Sequence, residues 1–319
     1  MKIGILTLHL PFNYGNALQQ FSLFHYLVEQ GYEAEMLSHW YAKDRQEISF
    51  WHQCLHGSFA QRVKFFVHCC TWSGVFAAFR REAKLLAWMD SNFTWSKETG
   101  YADHFPSESL SHDVVIVGSD QVWNPIHHTS KFFLLHTFPD SIRKIAYAAS
   151  LGSDRFPEAE TMFFGRALRR FEAISVREAS AKKILEENFD VEATLVCDPT
   201  LLHSREEWIR LLGLRETNPT ARRRGYMLYL VTPEAAAMWR SVRRLAKQLK
   251  APLHVYCFVG TTALLNWRRH PVRQLVSTLA KRVLLFTAGV RLHFTATPTD
   301  FVQSVMDCEG LFTDSFHGM

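Results

Sequence analysis

The sequence predicts an α/β protein of two domains, each built on a mostly parallel sheet. Three observations carry this. Short apolar, partly β-branched runs recur along the chain, and stretches with apolar residues at helical spacing separate them. A segment rich in Arg, Asn, Pro and Thr, Arg215 to Arg224, then interrupts the alternation, which resumes at Gly225. A length of 319 residues suits about two domains. The expected division is residues 1–214, carrying a helical insertion near 49–93, and residues 225–319, with a cleft between them.

Lys2 to Leu8 is nearly all apolar, as a central parallel strand covered on both faces should be. A turn at Pro11 to Asn16 leads into a helix over Ala17 to Gln30, with Leu18, Phe21, Leu23, Phe24 and Leu27 as its apolar residues. Gly31 stops it, because a left-handed residue costs least there. Glu33 to Ser38 completes a βαβ unit. In the 49–93 stretch, Phe59, Val63, Phe66 and Val67, then Val75, Phe79, Ala83 and Leu86, recur at helical spacing opposite basic residues. Phe65 to Phe79 is too short and too interrupted to span a bilayer, which takes about 18 apolar residues. It reads as a pair of amphipathic helices packed on the sheet, with a membrane-surface patch as the sharper alternative.

Further strands are expected at Asp113 to Val117, Lys144 to Ala149, Ala173 to Val176 and Thr194 to Cys197. Helices are expected at Glu158 to Phe171, Ser180 to Phe189 and Glu206 to Leu212. In the second domain, strands at Tyr226 to Val231, Leu253 to Phe258 and Gly310 to Thr313 alternate with helices at Pro233 to Leu249 and Asp300 to Asp307. Gly260 to Gly289 reads as helix-rich and basic.

Hydrophobic residues make up 47% and charged residues 21%, the balance of a packed globular chain rather than a disordered one. A net charge of +5 fits an anionic small ligand or loose contact with an anionic membrane surface. It does not argue for nucleic acid, and no nucleic-acid-binding pattern is present. The cysteines at 54, 69, 70, 197, 257 and 308 contain no Cys-x-x-Cys pair, so they read as reduced thiols rather than a zinc site or redox pair. Met1 to Leu6 enters a strand directly, without the apolar stretch of a signal peptide, which points to the cytoplasm.

Ligands of open α/β sheets bind beyond the carboxyl ends of the strands. After the first strand come Asn13, Tyr14, Gly15 and Asn16, then Gln19, where a glycine allows close approach and a helix start offers N–H groups. Gly-x-Gly-x-x-Gly is absent there, so this is not a dinucleotide fingerprint. After Val117 come Gly118, Ser119, Asp120, Gln121, Trp123 and Asn124: small residues for close approach, Asp120 and Gln121 to orient hydroxyls, and Trp123 to stack on a sugar. Arg177, beside Glu178, is a natural carboxylate or phosphate ligand; a salt bridge at the helix start is its structural alternative. Asp198-Pro199-Thr200 reads as a strand stop of mainly structural role. After Thr313 come Asp314, Ser315, Phe316, His317 and Gly318, where an imidazole and neighbouring N–H groups suit a phosphate.

These five segments, in this order and over nearly the whole chain, resemble the polysaccharide pyruvyl transferase family. The resemblance implies a fold similar to the GT-B glycosyltransferases, two Rossmann-like domains facing a cleft. It implies transfer of pyruvate from phosphoenolpyruvate to a sugar of a cell-surface polysaccharide, forming a ketal, on the cytoplasmic side. No cofactor or metal is implied; phosphoenolpyruvate is the donor substrate, and the acceptor is a glycan, in some settings lipid-linked at the inner face of the membrane. By resemblance His317 lies near the phosphate as the acid, and Arg177 on an anionic group of the donor. Asp120 acts in the catalytic site, and Asn13, Tyr14, Gly15, Gln19, Gly118, Ser119, Gln121, Trp123, Asn124, Asp314, Ser315 and Gly318 line the substrates. Ser315 stands where some members carry Arg, so that anion contact is either missing or supplied by another cation such as Arg268, Arg269 or Arg291. Members continue past the last motif, so the second domain is expected to be incomplete at Met319. The competing expectations are a glycosyltransferase using a nucleotide sugar on the same fold, and an inactive fragment of the family.

Overall fold

A computed structural model describes residues 1–9, 13–40, 73–97, 100–101, 111–126, 128–216, 225–230, 250–257, 290–293 and 295–318, with isolated residues between 241 and 248. The chain forms two compact units. Unit 1 comprises Met1–Leu10, Asn16–Gln53 and Met89–Ser204; unit 2 comprises Pro11–Gly15, Cys54–Trp88 and Arg205–Met319.

Unit 1 is built on a six-stranded parallel sheet. In chain order its strands are β1 (Lys2–Leu6), β2 (Glu33–Met36), β5 (Val114–Val117), β6 (Arg143–Ala149), β7 (Ala173–Val176) and β8 (Thr194–Leu195), arranged β2-β1-β5-β6-β7-β8. Every residue of β5 is buried, as are the last four of β1, which matches their apolar sequence and their central place. Between β2 and β5 in the chain lie β3 (His39–Trp40) and β4 (Gly100–Tyr101), which pair with each other in parallel. The crossovers include α1 (Tyr14–Glu29), α3 (Glu158–Leu168) and α4 (Ala179–Phe189). Helix α1 ends as its sequence dictates, with Gly31 at φ +83° and its N–H bonded to the Val28 carbonyl. One contiguous core, including Val115, Val117, Trp123, Phe133, Phe164, Val176 and Leu185, fills the space under these helices.

Unit 2 carries a four-stranded parallel sheet. Its strands are β9 (Tyr226–Leu230), β10 (Leu253–Cys257), β11 (Val290–His293) and β12 (Gly310–Thr313), in the order β11-β10-β9-β12. Its described helices include α5 (Arg205–Leu212) and α6 (Pro298–Asp307). Thr297 caps α6 in a reciprocal box with Asp300, and Pro298 takes the first helical turn, where its missing N–H costs nothing. This box starts the helix two residues before the apolar spacing suggests. Strand β11 was not anticipated: four residues are too few for a periodicity to show. Strand β8 is two residues long rather than four, and Asp198 caps the turn that follows it.

The expected helix at Pro233 to Leu249 and the basic stretch at Gly260 to Gly289 lie largely outside the described residues, as does most of the linker. Of the expected amphipathic pair, the described part belongs to one helix, α2 (Ser73–Asn92). No helix among the described residues is long and apolar enough to cross a membrane.

Candidate functional site

In each sheet the chain reverses its direction of strand addition once. Unit 1 adds β2 on one side of β1 and β5 on the other, so its switch point lies between β1 and β5. Unit 2 adds β10 and β11 on one side of β9 and β12 on the other, so its switch point lies between β9 and β12. Such points leave a crevice at the strand carboxyl ends, where the flanking loops part in opposite directions.

At the unit 1 switch point stands Asp120, 9% exposed, with φ at +85°. A left-handed aspartate is uncommon and costs about 1–3 kcal/mol, so its surroundings must impose it. They do: its carbonyl accepts from the N–H groups of Val122 and Ser150, at 2.8 and 3.0 Å, which ties the β5 loop to the end of β6. Its carboxylate accepts from the Gln121 N–H at 2.8 Å through Oδ1 and from Asn16 Nδ2 at 2.8 Å through Oδ2. Asn16 is on α1, so this bond joins the loops that follow β1 and β5. Behind it, Gln20 Nε2 donates to Asn16 Oδ1 at 2.8 Å and to the Leu8 carbonyl at 3.0 Å. Gln20 Oε1 meets His9 Nδ1 at 2.9 Å. Burial holds the His9 imidazolium disfavoured, its pKa below the ordinary value, despite hydrogen bonds to Leu37 and Gln20 that act the other way.

Arg177 follows β7, with its side chain 4% exposed. Its Nη1 donates to Asp198 Oδ2 at 3.1 Å and to Ser119 Oγ at 3.0 Å; its Nε donates to Glu178 Oε1 at 2.9 Å. Nη2 lies 3.7 Å from Asp120 Oδ1. Ser119 Oγ donates in turn to Asp198 Oδ2, and Asp198 Oδ1 accepts from both the N–H and the hydroxyl of Thr200. Among the described residues of this cluster, one guanidinium stands among three carboxylates. Arg177 therefore ties β5, β7 and the turn after β8 together, and its fork is occupied by protein carboxylates. Asp198, expected to be mainly a strand stop, is a direct partner in this cluster.

In unit 2, His317 sits half-buried in a 3₁₀ turn of three residues, Phe316–Gly318, that follows β12. A Cβ on Gly15 would lie 2.6 Å from His317 Cβ and 3.3 Å from its ring, so the glycine admits a histidine side chain. Asn13 Oδ1 accepts from the Tyr229 hydroxyl at 2.9 Å, which places Asn13 at the β9 side of the same switch point. Ser315 is buried, and its N–H bonds to Thr313 Oγ1. Asp314 is half-buried.

Several expected substrate contacts are held in the interior instead. Trp123 has no exposed surface; its indole N–H donates to the Phe133 carbonyl and its ring meets Phe171 edge-on. It is a core residue, and sugar stacking does not fit a ring that solvent cannot reach. Tyr14 is equally buried, stacked on Phe301 and donating to the Ala296 carbonyl at 3.0 Å. Gln19 is buried, with Nε2 3.4 Å from Thr7 Oγ1 and no hydrogen-bond partner for Oε1 among the described residues. Gly118 lets the chain pass Thr7, to whose Cβ an added Cβ would come within 3.0 Å. Gln121 and Asn124 bond each other, Nδ2 to Oε1 at 3.0 Å, over Gly152. Gln20 carries no signal in the sequence alone; its amide becomes informative only with Asn16 facing Asp120.

A family model for polysaccharide pyruvyl transferases matches residues 13–319. No curated protein matches the chain in sequence. Among solved structures, an alpha-glucosyltransferase in complex with UDP and a 13-mer DNA containing an HMU base aligns at a TM-score of 0.51 and 11% identity, over 97% of this chain and 71% of that one. The S. aureus MnaA–UDP structure aligns at 0.48 and 11% identity, over 99% of this chain and 75% of that one. The Neisseria meningitidis UDP-GlcNAc 2-epimerase bound to UDP-GlcNAc aligns at 0.42 and 10% identity, over 99% of this chain and 78% of that one. The first of these likenesses supports the fold alone: an α/β chain of GT-B type, with two Rossmann-like sheets.

Proposed function

The chain belongs to the polysaccharide pyruvyl transferase family, and from that premise we propose that it transfers the pyruvyl group of phosphoenolpyruvate to a sugar of a cell-surface polysaccharide. The donor methylene takes a proton, which makes C2 electrophilic. One sugar hydroxyl adds to C2 and loses its proton; the C2–O bond to phosphate breaks, and phosphate leaves with the electron pair. A second hydroxyl then closes the ketal and gives up its proton. The net products are the ketal and inorganic phosphate.

The observation that carries the reading is the character of the unit 1 switch point. It presents Asp120 as a carboxylate held by Asn16 and Gln121, in a cluster whose described residues are three carboxylates and one guanidinium. Such a place suits neutral hydroxyls and a group that accepts their protons. It does not suit a trianionic donor. By resemblance to the family, His317 serves the donor: an imidazole can donate to phosphate or protonate the methylene. Arg177 in this reading positions Asp120 and Asp198 rather than binding the donor. A glycan acceptor, lipid-linked at the inner face of the membrane, fits the family's setting and the cytoplasmic expectation.

The test is phosphate release from phosphoenolpyruvate over a panel of glycan acceptors, with calorimetry for donor binding. Acceptor-dependent phosphate release, lost in His317→Ala and Asp120→Ala, is the expected result. Folded protein that binds UDP but not phosphoenolpyruvate would overturn it.

A further inference from the structure

Asp120 does not hold its position alone, and the chain of amides behind it runs to the far side of the β1 loop. Asn16 and Gln20 are both fully buried, one helical turn apart on α1. Gln20 Nε2 lies 3.0 Å from the Leu8 carbonyl, 3.1 Å from the Asn16 carbonyl and 2.8 Å from Asn16 Oδ1. Three acceptors around one atom fix which end of the Gln20 amide is nitrogen, since a flip would set its oxygen against all three. With Asn16 Oδ1 occupied by that donor, Asn16 can offer Asp120 only its Nδ2, and it does so at 2.8 Å. The other end of Gln20 is equally determined. Oε1 faces His9 Nδ1 at 2.9 Å, the shorter of the ring's two contacts, and the Nδ1–H tautomer donates there. His9 Nε2 lies 3.2 Å from the Leu37 carbonyl, and the ring packs edge-on against Trp95. A buried chain of this kind costs stability if any member loses its partner, and its members polarise one another.

We propose that Gln20, backed by His9, is a positioning residue that sets the direction and strength of the Asn16 hydrogen bond on Asp120, and so the basicity of that carboxylate. The inference rests on the reading of Asp120 as the group that accepts the hydroxyl proton. Neither Gln20 nor His9 touches substrate; both act through Asn16. The chain makes a specific demand on residue types. Gln20→Met keeps length and burial but removes the Gln20 amide donor to Asn16 Oδ1, so the Asn16 hydrogen bond on Asp120 loses that backing. His9→Leu removes the donor to Gln20 Oε1, whereas His9→Gln can restore it with an amide N–H.

The test has two readouts on the full chain. The first is a carboxyl NMR titration of Asp120, which needs no activity. Weakening of the Asn16 donor on the carboxylate should move the Asp120 titration up by about half a pH unit in Gln20→Met. His9→Leu should move it the same way by less, and His9→Gln should return it towards wild type. The second is phosphate release against pH. In Gln20→Met, kcat should fall about tenfold with KM for the donor nearly unchanged, and the acidic limb should move up with the carboxyl titration. Thermal melting identifies any variant that fails to fold; the half-buried His9 position supplies the milder pair. An Asp120 titration unchanged in folded Gln20→Met, or unchanged between His9→Leu and His9→Gln, would overturn the proposal. If wild type releases no phosphate, the catalytic reading fails, while the carboxyl titration still decides whether this chain tunes Asp120.

Discussion

At the scale of single residues, the two groups that define the switch points are each held by an unusual local arrangement. Asp120 is kept in a left-handed conformation by bonds on its backbone and on both carboxylate oxygens. His317 is kept by a neighbour that has no side chain. Substituting Gly15 makes the second dependence visible: a methyl group there would lie 2.6 Å from His317 Cβ, so one of the two must move. Gly15→Ala should cost about 1–3 kcal/mol as overpacking, while displacing the imidazole and lowering kcat by about tenfold or more. Denaturant melts beside phosphate-release kinetics would show this as activity lost out of proportion to stability. Wild-type kinetics in a folded Gly15→Ala protein would mean that His317 does not depend on this approach.

Elements carry a second kind of dependence. On neighbouring strands β10 and β11, His254 Nδ1 and His293 Nε2 lie 3.0 Å apart, and His293 stacks on Tyr256. Burial holds the His293 pKa below the ordinary 6.5, and repulsion from His254 and Arg291 adds to it, while Asp300 acts the other way. Because the folded pKa lies below the unfolded one, the unfolded chain binds a proton that the folded chain refuses. The contribution of His293 to the stability of unit 2 is therefore complete above pH 6.5 and is lost as pH falls from there towards the folded pKa. Urea midpoints between pH 7.5 and pH 5 should fall in wild type and fall less in His293→Phe. Parallel slopes for the two proteins would contradict this assignment. The same scale shows why strands and helices were legible in sequence. β7 occupies the expected residues, and α3 and α4 lie within two or three residues of expectation, because apolar spacing and short turns are properties of adjacent residues. The start of α6 and the whole of β11 were not, since a capping box and a four-residue strand leave little periodicity to read.

Across the molecule, each parallel sheet separates support from chemistry. The amino end of the unit 1 sheet carries His112, whose Nε2 meets Glu35 Oε1 at 2.6 Å, with Lys2 Nζ at 3.3 Å from the same oxygen. The carboxyl end carries the Asp120, Arg177 and Asp198 cluster. His112→Leu should cost about 1–3 kcal/mol for the partner it leaves behind, with phosphate release per folded molecule unchanged. Asp198→Asn breaks a buried pair on Arg177 and should cost about 3–5 kcal/mol, and it should also lower kcat, because Ser119 and Arg177 lose their common anchor beside Asp120. If both variants changed kcat equally per folded molecule, the two ends of the sheet would not differ as described. What the sequence determined by itself was the alternation of strands and helices, the two-sheet class and the loops worth inspecting, since Gly15, Asp120, Arg177 and His317 all lie in the segments that follow strands in the chain. Only the tertiary structure decided which of those residues are available. Trp123 and Tyr14 went to the interior, Arg177 was taken up by three carboxylates, and Asn16 was brought against Asp120. The physical reason is that burial and hydrogen-bond partnership depend on residues some 60 to 200 positions away, and a local pattern carries no record of which distant group will occupy a donor.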